Sequence, residues 1–181
     1  MLVVVVIAVI AVAAVLFLQN RTKKLRARFG PEYDRAVAET GNKFKAEAEL
    51  ERVEKRVSHY PLRPLTGPDR DRFQQSWRAI QARVVDDPAG AFVEADQLLG
   101  SVMAVRGYPP SDFENRAAEI SVDHATVVNE YRAGHEVAVR HSQTQATTED
   151  LRRGMIHYRA LFDELMREEA APLRARAAGQ A

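Results

Sequence analysis

The stretch LVVVVIAVIAVAAVLFL, Leu2 to Leu18, runs through seventeen apolar residues without a break. A helix of that length spans roughly 26 Å, close to the ~30 Å hydrocarbon core of a bilayer. In lipid every backbone group must be satisfied within the segment, so its many Val and Ile residues do not oppose a helix. No charged segment precedes the run, and no small-x-small site leads into a mature-looking start. It therefore reads as an uncleaved transmembrane anchor over residues 1–20 rather than a signal peptide.

Five basic residues follow at once: Arg21, Lys23, Lys24, Arg26 and Arg28, with no acid before Glu32. The positive-inside rule predicts a single pass through the inner (cytoplasmic) membrane, N-terminus outside and the rest in the cytoplasm. The alternative places the helical domain outside the cytoplasm. The basic stem, 21–28, also suits anionic lipid headgroups, at about 1 kcal/mol per residue near the surface. It lacks the interleaved aromatic side chains of a nucleic-acid patch, so no nucleic-acid partner is expected.

The whole chain has 181 residues, 46% apolar and 28% charged, an ordinary globular balance that excludes wholesale disorder. Its 26 basic and 25 acidic residues nearly cancel. Without the five stem cations the acids exceed the bases by four, so the body is mildly acidic. There is no cysteine. Disulfides, thiolate zinc sites and a cysteine nucleophile are excluded.

Beyond the stem the pattern is helical. Gly30-Pro31 breaks the chain, and Pro31 suits a first helical turn. Ala46, Leu50, Val53, Val57 and Tyr60 form one apolar stripe, and Thr40-Gly41-Asn42 is a point of kink or split. Pro61, Pro64 and Pro68 mark an extended link. Thr66 with Asp69 resembles a capping box for a helix carrying Phe73, Trp77, Ile80 and Val84. Asp87-Pro88 restarts the chain for the stripe Phe92, Ala95, Leu99, Val102 and Met103, which Arg106-Gly107 ends. Ser111 with Glu114 is expected to cap a short helix holding Phe113, Ala117 and Ile120. Asp123 is expected to cap the next, to about Ser142. Thr147 or Thr148 opens the last, with Leu151, Met155, Tyr158, Phe162 and Leu165 inside. No strand-length alternation and no hairpin turn occurs.

The expected fold is all-α: one N-terminal transmembrane helix, then an antiparallel bundle of five or six amphipathic helices over residues 29–169. A flexible tail, 170–181, is expected to follow.

RFGPEYDRAV (28–37), DDPAGAFVEADQLL (86–99), RGYPPSDFENRAAEISVDHATVVNEYRAGH (106–135) and TEDLRRGMIHYRALFDEL (148–165) carry a resemblance. They look like a family of small, uncharacterised bacterial proteins that pair one N-terminal membrane helix with a helical domain. The resemblance implies that architecture. It implies no activity and carries over no catalytic residue.

Motifs for chemistry are missing. The residues three before each histidine are Arg56, Ser121, Arg132, Ala138 and Gly154, so no Glu-x-x-His di-metal pair exists. His135-Glu136 is followed by His141, two residues too late for a zincin. No phosphate-cradling glycine loop and no Gly-x-Ser-x-Gly elbow is present. No cofactor and no metal is expected.

One constellation merits a role. On a single helix from Asp123 to Ser142, His124, Val128, Tyr131, His135 and Ala138 share a face. That face could hold a small ligand or metal, because imidazole titrates near neutrality. The simpler reading makes His124 an interface residue and His135 a hydrogen-bonded boundary residue. Trp77 reads as a packing anchor. Gly100, Gly134 and Gly154 read as points of close helix approach. The expected function is a membrane-tethered helical interaction module that holds a protein partner, or a second copy, beside the bilayer. An enzyme or ligand-binding domain built on His124, Tyr131 and His135 is the alternative.

Overall fold

The structure is a computed structural model that describes residues 1–167. The expected tail, 170–181, and residues 168–169 of the expected domain lie outside the described residues. Eight helices and no strand occur among the described residues. They are α1 Leu2–Phe29, α2 Pro31–Thr40, α3 Lys43–Ser58, α4 Gly67–Arg83, α5 Pro88–Arg106, α6 Phe113–His124, α7 Val128–Ser142 and α8 Thr148–Arg167.

Local chemistry places most of the ends. Gly30 closes α1 at φ 54°, a backbone region that suits glycine, and Pro31 opens α2. Gly41, at φ 63°, ends α2, and the Asn42 side chain accepts the Lys45 N–H at 3.1 Å to start α3. The 40–42 segment therefore splits the element. Asp69 N–H donates to Thr66 Oγ1 at 3.2 Å, and Gly90 N–H to Asp87 Oδ1 at 2.9 Å. Thr147 and Asp150 cap reciprocally: each backbone N–H donates to the other's side chain, at 3.0 and 3.1 Å.

Four local expectations are corrected. Pro68 lies in the first turn of α4, not in the link before it. Asp112, not Ser111, caps α6, accepting the Asn115 N–H at 2.9 Å. The Ser111 hydroxyl instead donates to buried Glu119 at 3.3 Å. Asp123 caps nothing. It lies in the last turn of α6 and faces Arg28 of α1 at 3.4 Å. The α6–α7 break falls later, at residues 125–127, where no glycine or proline announces it. Seven helices thus follow α1 where five or six were expected.

The apolar stripes bury as spaced, in two clusters. The larger joins α4, α5, α7 and α8 with Ala117 and Ile120 of α6. Its centre is a ring stack: Phe92 on Tyr158 at 4.9 Å and Trp77 on Phe162 at 4.6 Å between centroids. The smaller gathers Leu25 and Phe29 of α1, Tyr33 of α2, Leu50, Val53 and Val57 of α3, and Val122 of α6.

Of Gly100, Gly134 and Gly154, two mark close approach. A Cβ on Gly134 would stand 2.3 Å from the Tyr158 ring, and one on Gly154 2.5 Å from the Phe92 ring. Gly100 has nothing within 4 Å of that position, so helix approach does not explain it. Gly100→Ala should raise stability by about 0.5–1 kcal/mol through helix propensity alone. Gly134→Ala should lower it by about 1–3 kcal/mol, because stacked Tyr158 has nowhere to go. Urea unfolding of the two variants checks this opposition of sign.

Candidate functional site

α1 is two structures in one helix. Val3 to Leu18 show their large side chains to the outside, from 38% exposed at Leu18 to 70% at Phe17. α1 is the one helix among the described residues long and apolar enough to cross a membrane, and its apolar window is unburied. That window is therefore no part of the domain's core. Two turns later the same helix is core: Leu25 is 2% and Phe29 0% exposed. The 21–28 stem lies within this helix, which ends at Phe29. It forms part of the body.

Four of the five stem cations pair with acids of the body. Arg21 Nε lies 2.6 Å from Glu51 and 3.8 Å from Glu47 of α3. Lys24 and Arg28 each reach Glu54 at 3.9 Å. Arg26 meets Asp34 of α2 at 2.6 Å, and Arg28 meets Asp123 of α6. Lys23 stays exposed. The acidic excess of the body is thus spent partly on its own basic stem. Most of these pairs are exposed and individually contribute little, but together they select one rotation of α1 against α2, α3 and α6.

Buried carboxylates, which the apolar stripes did not announce, lock the same junction. Glu47, 1% exposed, accepts the Thr22 hydroxyl of α1 at 2.7 Å and the Tyr33 hydroxyl of α2 at 2.9 Å. Burial pushes its carboxyl up, but these bonds and the nearby Lys43 and Arg21 charges outweigh that and hold it below the usual range. Glu119 accepts from Tyr60 at 2.7 Å and Arg56 at 3.2 Å. Glu32 accepts from Nη2 and Nε of Arg132, at 2.5 and 2.9 Å, tying α2 to α7. Acids at stripe spacing with cations far along the chain were the available signal, but spacing cannot say which cation meets which acid.

The His124/Tyr131/His135 face does not assemble. It required one helix, and the break at 125–127 leaves His124 on α6 with Tyr131 and His135 on α7. His135 stacks on Phe113 at 3.5 Å, and Tyr131 packs against the same ring at 5.0 Å. Phe113 starts α6 and His124 ends it, about 16 Å along the axis. His124 is 2% exposed, with Nδ1 3.6 Å from Glu164 Oε1 of α8. No group of three or more potential metal ligands occurs among the described residues. His157, next to Tyr158 on α8, has Nδ1 2.7 Å from Glu130 Oε2.

The buried histidines make stability depend on pH. Burial depresses His124, and the Arg106 charge depresses it further, against the opposing Asp123 and Glu164 carboxylates. Burial likewise depresses half-buried His135, whose charged neighbours are Asp96, Glu114, Arg116 and Arg132. A depressed histidine leaves the unfolded state to bind the proton first. Stability is therefore full above the unfolded value, near 6.5, and falls as pH drops from there toward the depressed folded values. The slope from fully buried His124 is at most about 1.4 kcal/mol per pH unit. Denaturant unfolding between pH 7.5 and 5.5 should show the loss, and His124→Gln should reduce the slope without removing the His135 share.

No protein-family model, curated protein or solved structure matches the chain.

Proposed function

We propose that this chain is a membrane-anchored helical interaction module that presents a folded face to a protein partner, or to a second copy, directly beside the bilayer. The observation that carries the reading is the continuity of α1: apolar and outward-facing from Val3 to Leu18, then core from Leu25 to Phe29. An anchor joined through a flexible linker would tether its domain loosely. This one enters the core and is held there by Thr22–Glu47, Arg21–Glu51 and Arg28–Asp123. The body is thus held at one orientation and one height, which suits a module that must meet a membrane-bound partner. Within that reading, α4 to α8 form an antiparallel bundle, supported by the short links at 84–87 and 143–147 that turn the chain back.

The orientation we propose is N-terminus outside, body in the cytoplasm, in the inner membrane. It rests on the five basic residues after the span and the uncharged residues before them. The absence of cysteine makes a direct test available. Ile156 is 68% exposed on α8, so Ile156→Cys carries a single accessible thiol. A membrane-impermeant maleimide should label it only after the inner membrane is opened. Labelling in cells whose inner membrane is intact would place the body outside. Photo-crosslinking from exposed Val85 and Val139 in the same cells should give discrete adducts whose masses identify a partner or a dimer. No adduct from either position would count against the interaction module.

A further inference from the structure

Phe44 is the only exposed phenylalanine outside α1 among the described residues, at 61%. It precedes the α3 stripe, which begins at Ala46, and it lies between exposed Lys43 and Lys45. Its position is set by α1. Lys43, Phe44 and Glu47 form one wall of a groove of about 320 Å³ whose other wall is Val15, Leu18, Gln19, Thr22 and Lys23. Val15 and Leu18 belong to the apolar run, and Val15 lies about 4.5 Å deeper along α1 than Leu18. The first turn of α3 therefore stands level with the last turn of the apolar run.

We propose that Phe44 is a second membrane contact, inserted at the boundary between acyl chains and headgroups, with Lys23, Lys43 and Lys45 on anionic headgroups around it. The inference rests on the reading of α1 as a membrane span. If Leu18 lies in hydrocarbon, a ring sharing a groove with Val15 and Leu18 reaches that hydrocarbon too. The apolar run, roughly 26 Å long, is a few ångströms short of an average bilayer core, so lipid is drawn toward its lower end, where Phe44 stands. The occupant of the groove is lipid because the apolar surface is continuous with the span, and because the basic side chains at its rim match anionic headgroups. An aromatic body with flanking lysines is the composition that prefers this depth. The contact fixes the tilt of the body as well as its height.

The cysteine-free full chain supplies the test. Phe44→Cys, Ile10→Cys and Ile156→Cys are each labelled with an environment-sensitive fluorophore. Each is reconstituted in vesicles of phosphatidylcholine and phosphatidylglycerol that carry spin-labelled lipid. The label at Phe44 should emit to the blue of that at Ile156 and lose most of its intensity to a spin label near the headgroup. It should lose less to one near the chain end. Ile10 should show the reverse depth preference, and Ile156 neither. Quenching at Ile10 with none at Phe44 overturns the inference and leaves the span intact. No quenching at Ile10 overturns the span on which it rests. A disulfide-linked dimer through Phe44→Cys, formed in place of lipid quenching, assigns the groove to a second copy and also overturns it.

Discussion

Arg132→Met should destabilise the domain by about 3–5 kcal/mol, because it strands a buried carboxylate without its cation. Both partners of the pair are buried, the side chains of Arg132 and Glu32 being 8% and 7% exposed. The third contact, to Glu114 at 2.7 Å, involves a carboxylate 62% exposed, which water can satisfy when Arg132 is removed. Glu32 has no such recourse. The loss is a large share of the stability of an ordinary domain, so the variant should unfold at distinctly lower urea in detergent. The double variant Glu32→Met/Arg132→Met should recover most of it, since an apolar pair of similar volume avoids desolvating two charges. A double variant no better than the single one would show that the pair does not carry the α2–α7 contact.

Trp77→Ala should cost about 3–5 kcal/mol, through lost burial and the cavity left behind. The indole is 4% exposed and lies face to face with Phe162, with ring planes 11° apart. Phe162 is one turn along α8 from Tyr158, which stacks on Phe92 and donates its hydroxyl to Asp96 at 2.7 Å. The cavity would open at the α4–α8 contact, in rings too firmly stacked to collapse into it. Trp77→Phe keeps a ring on Phe162 and should recover more than half of the loss. A Trp77→Ala variant with unchanged unfolding would remove Trp77 from the core.

The apolar span, the all-helical body, the breaks at Gly30 and Gly41, most caps and nearly every buried stripe position are legible in the residues alone. Each depends on interactions within one or two turns: a side chain on a nearby N–H, a glycine at positive φ, apolar residues three or four apart. The continuation of α1 into the core through Leu25 and Phe29 comes from packing. The stem reads locally as a basic juxtamembrane segment, and Leu25 with the following Phe29 becomes core only because Leu50, Val53 and Val57 arrive from α3. The α6–α7 break likewise has no local punctuation. Ending α6 at His124 lets Asp123 reach Arg28 and His124 reach Glu164, and it disperses the histidine face that one unbroken helix would have made. Arg132 and Glu32 are one hundred positions apart. Periodicity places each on its own helix, but the pair exists only when α2 and α7 meet, because a long-range ionic contact is a property of packing and not of spacing.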